Sequence, residues 1–308
     1  MWLIKSTHTI NNYMKILVFG SSGYIGSAFV KYLAEKNVKY SCASIRYPYD
    51  RRLLRDKILN DSITHVVNCA GYTGKPNVDS CEDEKDQCLY ANAYFPKILA
   101  DVCKSYNIPL LHVSSGCIYN DENCEQGLPP IIEYPEHFKP NFSFDSGNCS
   151  WYSGTKALGE ELLINQNNWP APLICRLRIP FNGELNHRNY IDKIVKYPTL
   201  LNATNSFSQL DEFVSGCFHL LQLGVEGVYN LTQPGYMTTK QVVNMLKDYG
   251  VVKSKTFFDS ITEFNKHVKA PRSNCVLDSS SAIRAGVKLT PISTAMEEAI
   301  KQYANNLK

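Results

Sequence analysis

The sequence predicts an α/β protein with a Rossmann-like, doubly wound parallel sheet and a smaller, discontinuous C-terminal substrate-binding domain. In the first half of the 308 residues, short apolar runs alternate with helical patterns, which is the pattern of βαβ units. A glycine-rich turn follows the first apolar run. The second half is less regular, but no long linker separates it from the first, so we expect its segments to leave the sheet and return to it.

Each predicted strand is a short apolar run that suits a strand covered on both faces. The five strands of the first half are KILVFG (15–20), YSCASI (40–45), THVVNCAG (64–71), PLLHVSS (109–115) and APLICRLR (171–178). Amphipathic patterns predict helices between them at 24–36, 91–106 and 151–165. In the second half we expect helices at 190–197, 211–224 and 238–250, and a strand at 227–232.

Composition and charge exclude several functional classes. The net charge is only +3, and interleaved acids and bases give no field that would attract nucleic acid or an anionic membrane. The basic cluster RRLLR at 51–55 is interpreted as a solvated helix face. The eleven cysteines are odd in number and scattered, so we expect free thiols and no metal site. No N-terminal stretch resembles a signal peptide or membrane span, and we expect a cytoplasmic protein.

The segment FGSSGYIGSAF contains Gly20, Gly23 and Gly26 in a G-x-x-G-x-x-G spacing. Glycines in this spacing, between a strand and a helix, permit a tight turn, close approach of a pyrophosphate and close helix–strand packing. The pyrophosphate would face the free N–H groups at the helix N-terminus. We therefore predict a dinucleotide site formed by the following residues: Gly20, Ser22, Gly23, Tyr24, Ile25 and Gly26.

The end of the second strand indicates which nicotinamide dinucleotide binds. NAD-binding proteins usually have an acidic residue there, which accepts a hydrogen bond from the ribose 2′-OH. Here the sequence reads CASIRYPYDRR, with no acid at the strand end and Arg46 just beyond it. An arginine suits a 2′-phosphate, so we predict NADPH, although Asp50 lies close enough to leave NADH open.

The segment WYSGTKA contains Tyr152 and Lys156, which are spaced i, i+4 on one face of a predicted helix. A phenol has a reference pKa of about 10, and a neighbouring ammonium favours its phenolate form. Such a pair can therefore transfer protons and also hold the nicotinamide ribose. The fourth strand ends in Ser114–Ser115, and Ser114 and His112 are interpreted as packing residues.

These motifs resemble the extended short-chain dehydrogenase/reductases. NCAG at 68–71 is similar to that family's cofactor-lining motif, which implies cofactor contacts from Asn68, Ala70 and Gly71. Ser115, Tyr152 and Lys156 match its catalytic triad. Within the family, several segments resemble the plant-type nucleotide-rhamnose synthases: YTGKPNVDSCE (72–82), SGCIY (115–119), YSGTKALGEELL (152–163), RLRIP (176–180), RNYIDKIVKY (188–197) and APRSN (270–274).

The resemblance implies a bifunctional 3,5-epimerase/4-keto-reductase that converts UDP-4-keto-6-deoxy-D-glucose to UDP-β-L-rhamnose. In epimerising relatives a cysteine stands two residues after the triad hydroxyl, as Cys117 does here. A 4-keto group acidifies the C3 and C5 protons, and a thiolate can remove them. The resemblance assigns the opposing acid to Lys193. The alternatives are that Cys117 is a core residue and that Lys193 belongs to a solvated helix face.

Substrate contacts are expected mainly from the loop after the third strand and from the second half of the chain. Arg272 suits a diphosphate, and the other expected contacts are Thr73, Gly74, Asn77, Asp79, Arg178, Asn189 and Asn274. The corresponding domains are an N-terminal extension (1–13), an NADP-binding Rossmann domain (14–175) and a mainly substrate-binding part (176–308). From that last part, residues of about 205–225 are expected to return to the Rossmann domain.

Two further functions remain open at this point. One is a 4-keto-reductase without epimerase activity, and the other is a non-catalytic NADPH-binding regulatory subunit. The sequence does not decide between uridine and thymidine, because one methyl group changes binding by only about 1–3 kcal/mol. It also leaves a homodimer open. The expected partners are a UDP-sugar substrate and a separate 4,6-dehydratase that supplies the 4-keto sugar.

Overall fold

The computed structural model describes residues 13–44, 50–164 and 171–307. The predicted extension therefore lies almost wholly outside the described residues. Arg46 and the last residue of the helix predicted at 151–165 also lie outside them.

A six-stranded parallel sheet forms the centre of the protein, as predicted. Its strands, numbered along the chain, are β1 (Lys15–Phe19), β2 (Lys39–Ala43), β3 (His65–Asn68), β4 (Leu110–Ser115), β5 (Leu173–Leu177) and β6 (Gly227–Asn230). From one edge to the other the order is β6-β5-β4-β3-β1-β2, and every neighbouring pair is parallel. The order reverses between β1 and β3, which is where ligands bind in doubly wound sheets.

Twelve α-helices are present in the described ranges. They are α1 (Tyr24–Glu35), α2 (Arg51–Asn60), α3 (Lys85–Leu89), α4 (Phe95–Ser105), α5 (Glu122–Glu125), α6 (Trp151–Ile164), α7 (Tyr190–Lys196), α8 (Leu210–Leu223), α9 (Thr239–Asp248), α10 (Ile261–Asn265), α11 (Ser280–Arg284) and α12 (Ile292–Asn306). Short 3₁₀ turns occur at Val78–Glu82, Gly116–Ile118 and Phe144–Ser146. A π-helical turn, Tyr90–Tyr94, joins α3 to α4.

In the described part of the chain, eight two-residue strands lie outside the central sheet and form four pairs. The parallel pairs are Pro180–Phe181 with Ser208–Gln209, Thr199–Leu200 with Thr256–Phe257, and Glu133–Tyr134 with Val276–Leu277. The antiparallel pair is Thr204–Asn205 with Met237–Thr238. These pairs connect distant segments of the chain to one another.

The two faces of the central sheet bury separate cores. One core joins α1 to α8 and also takes in Ala282 and Val287 from near the C-terminus. The other lies under α2, α4 and α6. A third core, formed by α7, α9 and α12, supports the part of the chain that faces the ends of the strands.

Candidate active site

The glycine turn after β1 has the geometry that a dinucleotide requires. Gly20 has a φ of +72°, and a Cβ atom there would lie 2.6 Å from the backbone nitrogen of Ala70. A Cβ atom at Gly26 would lie 2.1 Å from the carbonyl oxygen of Gly20. Both positions therefore exclude larger residues, since real Cβ contacts are never this short.

The N-terminus of α1 is left open for an anion. Its first residue follows Gly23, which has no side chain with which to cap the helix, and both Ser22 and Gly23 are exposed. In contrast, Asp50 caps α2 and Gln209 caps α8 through side-chain hydrogen bonds. Uncapped N–H groups at a positive helix end fit a pyrophosphate, so this turn fits a nicotinamide dinucleotide.

Three further residues predicted to contact the cofactor, Asn68, Tyr24 and Ile25, also make contacts within the protein. Asn68 is fully buried, and its amide bonds His112 Nδ1 (3.0 Å) and the backbone N–H of Ala70 (3.0 Å). The Asn68 side chain thus holds the backbone of the loop after β3 at Ala70. The Tyr24 hydroxyl donates to Asn182 Oδ1 (3.1 Å). Ile25 packs against the core beneath α1.

Two side chains outside the helix hold the start of α6, which carries Tyr152 and Lys156. Ser150 Oγ accepts from the backbone N–H of Ser153 (3.1 Å). Glu82 Oε1 accepts from the backbone N–H of Trp151 (2.7 Å), so the loop that follows β3 is fastened directly to this helix. The fastening fixes where the first turn of α6 faces the end of β4.

The structure brings Ser115, Cys117, Tyr152 and Lys156 together at the carboxyl end of β4. The Ser115 side chain lies beside the Tyr152 phenol and the Cys117 thiol, and it acts to lower the pKa of each. Ser115 Oγ also accepts from the backbone N–H of Cys117 (3.3 Å). The thiol and the phenol are close enough to influence each other's charge.

Burial dominates the protonation of this group. Desolvation raises the pKa of Tyr152 well above its ordinary value, so the phenol is protonated at neutral pH. Desolvation also raises the pKa of the Cys117 thiol, against the opposing effects of Ser115, Arg178 and Lys156. The pKa of Lys156 is lowered by burial, while Cys117 and Glu160 act to raise it.

Asn92 and Lys156 line the loop after β3. Asn92 is fully buried, and its side chain bonds both backbone groups of Tyr72, each at 2.9 Å. A Cβ atom at Gly71 would lie 3.0 Å from Asn92 Oδ1 and 3.3 Å from Lys156 Nζ. Glycine at this position therefore lets the lysine approach the backbone. Sequence reasoning missed Asn92, because a single polar residue in an amphipathic helix gives no distinguishing signal.

A buried ion pair, Glu160–Arg176, lies directly behind the catalytic group. The two side chains are 3% and 2% exposed, and Arg176 Nη2 lies 2.6 Å from Glu160 Oε2. Ser114 Oγ donates to the same carboxylate (2.5 Å). Glu160 follows Lys156 by one turn, so the ion pair joins α6 to β5, and the Ser114 hydrogen bond joins α6 to the end of β4. Sequence reasoning missed both charged residues.

The side chain of Asn189, one of the predicted substrate contacts, makes hydrogen bonds within the protein. It is fully buried and caps α7, with Oδ1 accepting from the backbone N–H of Ile191 (3.2 Å). Its amide nitrogen donates to the carbonyls of Asn182 and Glu184, each at 2.8 Å. Its side-chain oxygen and nitrogen are therefore both engaged within the protein, and a sugar contact from Asn189 stays a prediction.

Arg178 and Asn274 belong to one buried polar network. Arg178 Nη2 donates to Asn205 Oδ1 (2.6 Å), and the Asn205 amide donates to Asn274 Oδ1 (3.1 Å). Arg178 also donates to the carbonyl of Ser273. This network lies within electrostatic reach of the Cys117 thiol. The network therefore holds the 273–275 segment close to Cys117. This segment contains part of the APRSN motif.

The loop after β3 contacts the second half of the chain through Asp79 and Gly74. Asp79 Oδ1 lies 2.8 Å from Arg272 Nη1, and the carbonyl of Gly74 accepts from Arg188 Nη2 (3.0 Å). Asn77 caps the 3₁₀ turn that carries Asp79 (2.9 Å to its N–H), and Thr73 is half-buried beside them. The structure therefore brings four predicted substrate residues and Arg272 to one side of the site.

Lys193 lies near this side of the site. It is half-buried on α7, and desolvation lowers its pKa, as do the positive charges of Arg188 and Arg272. Its surroundings differ from those of a lysine on a solvated helix face.

The described residues contain neither a candidate metal site nor a helix that could span a membrane. Residues 13–44, 50–164 and 171–307 contain no group of three or more His, Cys, Asp or Glu side chains that could hold a metal ion. None of the helices in these ranges combines the length and apolar character needed to cross a bilayer.

Comparison with known sequences identifies related proteins. The RmlD substrate binding domain family matches residues 14–204. A bifunctional dTDP-4-dehydrorhamnose 3,5-epimerase/dTDP-4-dehydrorhamnose reductase of Arabidopsis thaliana is 34% identical over 266 residues, covering 85% of this chain and 84% of that protein. A trifunctional UDP-glucose 4,6-dehydratase/UDP-4-keto-6-deoxy-D-glucose 3,5-epimerase/UDP-4-keto-L-rhamnose-reductase of the same plant is 33% identical over 295 residues. The chain spans only 42% of that larger relative.

Solved structures agree with this relationship. The UDP-rhamnose synthase of Acanthamoeba polyphaga mimivirus superposes with a TM-score of 0.83 and 26% identity, over 94% of this chain and 99% of that chain. A dTDP-4-dehydrorhamnose reductase of Clostridium acetobutylicum has the same fold, with a TM-score of 0.78 and 20% identity over 96% of this chain and 99% of that chain. By its sequence and by its fold, the chain belongs to the RmlD substrate-binding domain family.

Proposed function

We propose that this protein is an NADPH-dependent 3,5-epimerase/4-keto-reductase that converts UDP-4-keto-6-deoxy-D-glucose to UDP-β-L-rhamnose. The observation that carries the proposal is the buried thiol of Cys117 beside the Ser115–Tyr152–Lys156 group. Relatives whose names include both epimerase and reductase activities support it.

Ser115 and Tyr152 would act on the 4-keto oxygen in both reactions. Each offers an O–H that can donate to this oxygen, and the high pKa of Tyr152 keeps its proton in place at neutral pH. Negative charge develops on the same oxygen during enolate formation and during reduction, and positioned donors stabilise such charge. One pair of hydroxyls therefore serves both steps.

Cys117 and Lys193 would invert C3 and C5. The Cys117 thiolate would remove a proton from the carbon beside the keto group, leaving the electron pair in an enolate. Lys193 would return a proton to the opposite face of that carbon. Its lowered pKa makes it a stronger acid than an exposed lysine, which suits proton donation near neutral pH.

NADPH, when bound at the glycine turn, supplies the hydride that reduces C4. Tyr152 then gives its proton to the developing alkoxide, and the Lys156 ammonium stabilises the resulting phenolate. Lys156 is 6% exposed, and its Nζ approaches the carbonyl of Val113 (3.5 Å), two residues before Ser115 on β4.

The test is incubation with UDP-4-keto-6-deoxyglucose and NADPH in D₂O, followed by proton NMR of the product. We expect deuterium at C3 and C5, rhamno configuration and one NADPH oxidised per product. NADPH oxidation without deuterium would leave a reductase alone, and no oxidation with any 4-keto sugar nucleotide would indicate a regulatory NADPH-binding subunit. Parallel incubation with the dTDP substrate would measure the preference for the base.

A further inference from the structure

Arg178 is a buried arginine at the carboxyl end of β5, beside the end of β4 that leads to Cys117. Ser115 of β4 pairs with Leu177 of β5, so Arg178 and Cys117 follow directly from neighbouring positions of the sheet. Adjacent strands lie about 5 Å apart. The two side chains are each 6% exposed. A guanidinium and a thiol are therefore buried at the same edge, where the charge of one acts on the other.

The charge of Arg178 has no carboxylate partner within the part of the chain that the structure describes. Arg176, two residues earlier, is paired with Glu160. Arg178 instead donates from Nε and Nη2 to Asn205 Oδ1 (3.2 and 2.6 Å) and from Nη2 to the carbonyl of Ser273, and both acceptors are neutral. Its Nη1 has no hydrogen-bond partner among the same residues. Because an unpaired buried charge is unfavourable, this cation suits an anion that forms beside it.

The groups around the Cys117 thiol come from several separate segments of the chain. Burial raises its pKa, while Ser115, Arg178, Lys156 and Ser153 act to lower it. The other titratable neighbours, each neutral when protonated, are Tyr152, Cys81, Cys149 and Cys275. Burial also lowers the pKa of Lys156, whereas a guanidinium stays protonated in proteins. Arg178 is therefore the permanent positive charge among these neighbours.

The backbone on both sides of the Arg178 side chain is firmly held. The Arg178 N–H donates to Ser208 Oγ (3.0 Å), and its carbonyl accepts from the Ser208 N–H (2.7 Å). The next residue, Ile179, has a φ of +37°, which is rare for a β-branched residue. The following Pro180 restricts Ile179 further. Strained backbone of this kind is concentrated at functional sites, so the strain indicates that the direction of Arg178 matters.

A chain of hydrogen bonds also connects Arg178 to the turn that carries Cys117. Asn205 Oδ1, which binds the guanidinium, accepts from the backbone N–H of Cys275 (3.1 Å). The Cys275 thiol donates to the carbonyl of Gly116 (3.3 Å), and Gly116 directly precedes Cys117. The guanidinium is thus fixed relative to the Cys117 thiol.

We propose that Arg178 is a positioning residue that stabilises the thiolate of Cys117, the base assigned above to proton removal at C3 and C5. The thiol gives its proton to water, and the negative charge left on sulfur lies beside the guanidinium. An opposite charge in a buried site favours the ionised form. The role of the thiolate as a base rests on the proposed function, whereas the effect of Arg178 on the thiol requires no substrate.

The test is the rate at which iodoacetamide alkylates Cys117 between pH 6 and 10, using the full chain with NADP and without a sugar nucleotide. Only the thiolate reacts, and peptide mass spectrometry follows each cysteine separately. We expect Arg178→Met to move the pH profile up by about one pH unit. The rate at neutral pH should fall at least about threefold, because the smaller thiolate fraction is partly offset by its higher nucleophilicity. Arg178→Lys keeps the charge and should recover most of the rate.

Two controls separate this electrostatic effect from a general disturbance. Cys42, an exposed cysteine of β2, should be alkylated at the same rate in every variant. Arg284→Met removes an exposed arginine of α11 and should leave the alkylation of Cys117 unchanged. If Arg178→Met does not fold, Arg178→Gln gives the same comparison, since it removes the charge and keeps a hydrogen-bond donor.

Equal or faster alkylation of Cys117 in Arg178→Met would overturn the proposal, because a purely structural role of Arg178 would only expose the thiol. Failure of the wild-type Cys117 to react up to pH 10 would overturn it as well, since a site open to a sugar nucleotide is open to iodoacetamide. Slower alkylation in Arg178→Met, without deuterium incorporation by the wild type, would retain this role of Arg178 while refuting the proposed epimerisation.

Discussion

Cys117 is distinguished from the other buried cysteines by its neighbours. Ten further cysteines are present and most are buried, but Cys117 alone follows Ser115 by two residues at the end of β4. Its thiol lies within reach of the Ser115 and Ser153 hydroxyls. Substitution of Cys117 can therefore distinguish the proposed epimerisation from reduction alone.

Replacing Cys117 with alanine should separate the two proposed activities. We expect deuterium incorporation at C3 and C5 to fall by at least about 100-fold, which is the lower range for loss of a positioned base. Reduction of a 4-keto sugar that already has the rhamno configuration should continue, because Ser115, Tyr152 and Lys156 remain. Cys175→Ala, at a fully buried cysteine of β5, is the control for thiol loss. Undiminished deuterium incorporation in Cys117→Ala would refute the assigned base.

The raised pKa of Cys117 predicts how epimerisation depends on pH. Burial favours the neutral thiol, so only a small fraction is thiolate at pH 7. That fraction grows about tenfold per pH unit below the pKa. Deuterium incorporation measured from pH 6 to 8 should therefore rise with pH, whereas reduction requires protonated Tyr152 and should not rise. A flat incorporation profile would argue against a thiolate base.

At the scale of elements, α6 is held by contacts at both of its ends. Glu82 and Ser150 fix its first turn, and Glu160 binds Arg176 and Ser114 about two turns later. The catalytic pair lies between these attachments. Displacing either end would therefore move Tyr152 and Lys156 relative to Ser115.

Glu160→Gln should lower the free energy of unfolding by about 3–5 kcal/mol, the range for breaking a buried ion pair and leaving one charge unpaired. Denaturant unfolding measures this change. The control is Glu298→Gln at an exposed residue of α12, which should stay within about 0.5 kcal/mol of the wild type. Replacing the pair together, as Glu160→Leu with Arg176→Met, should recover much of the loss. Similar stability of Glu160→Gln and Glu298→Gln would contradict this account.

The sequence predicted the elements of the sheet well, because each strand is an apolar run and the sheet is covered on both faces. The glycine turn and the Tyr152–Lys156 spacing were also visible, since both depend on short local patterns. The Glu160–Arg176 pair and the contact of Arg188 with the carbonyl of Gly74 could not be predicted, because each depends on residues brought together from separate elements. Asn189 was predicted to contact the sugar, and the sequence did not indicate that its side chain caps α7.

At the scale of the whole molecule, the described residues form a single six-stranded parallel sheet, with the glycine turn after β1, and the chain spans 42% of its trifunctional relative. We therefore expect no rhamnose product from UDP-glucose and NADPH with this chain alone. Adding a separate UDP-glucose 4,6-dehydratase should start product formation, because it supplies the 4-keto sugar. Product formed by this chain without the dehydratase would refute the predicted division of labour. Proton NMR of both mixtures makes the comparison.

The position of β6 has a consequence for how the protein is synthesised. This edge strand and helix α8 come late in the chain, as do Ala282 and Val287 of the same core. An emerging chain that has completed β1 to β5 still exposes one apolar face of the sheet and an unpaired edge, which favours aggregation. These non-local contacts also slow folding. The core on this face of the sheet therefore stays incomplete until Val287 has left the ribosome.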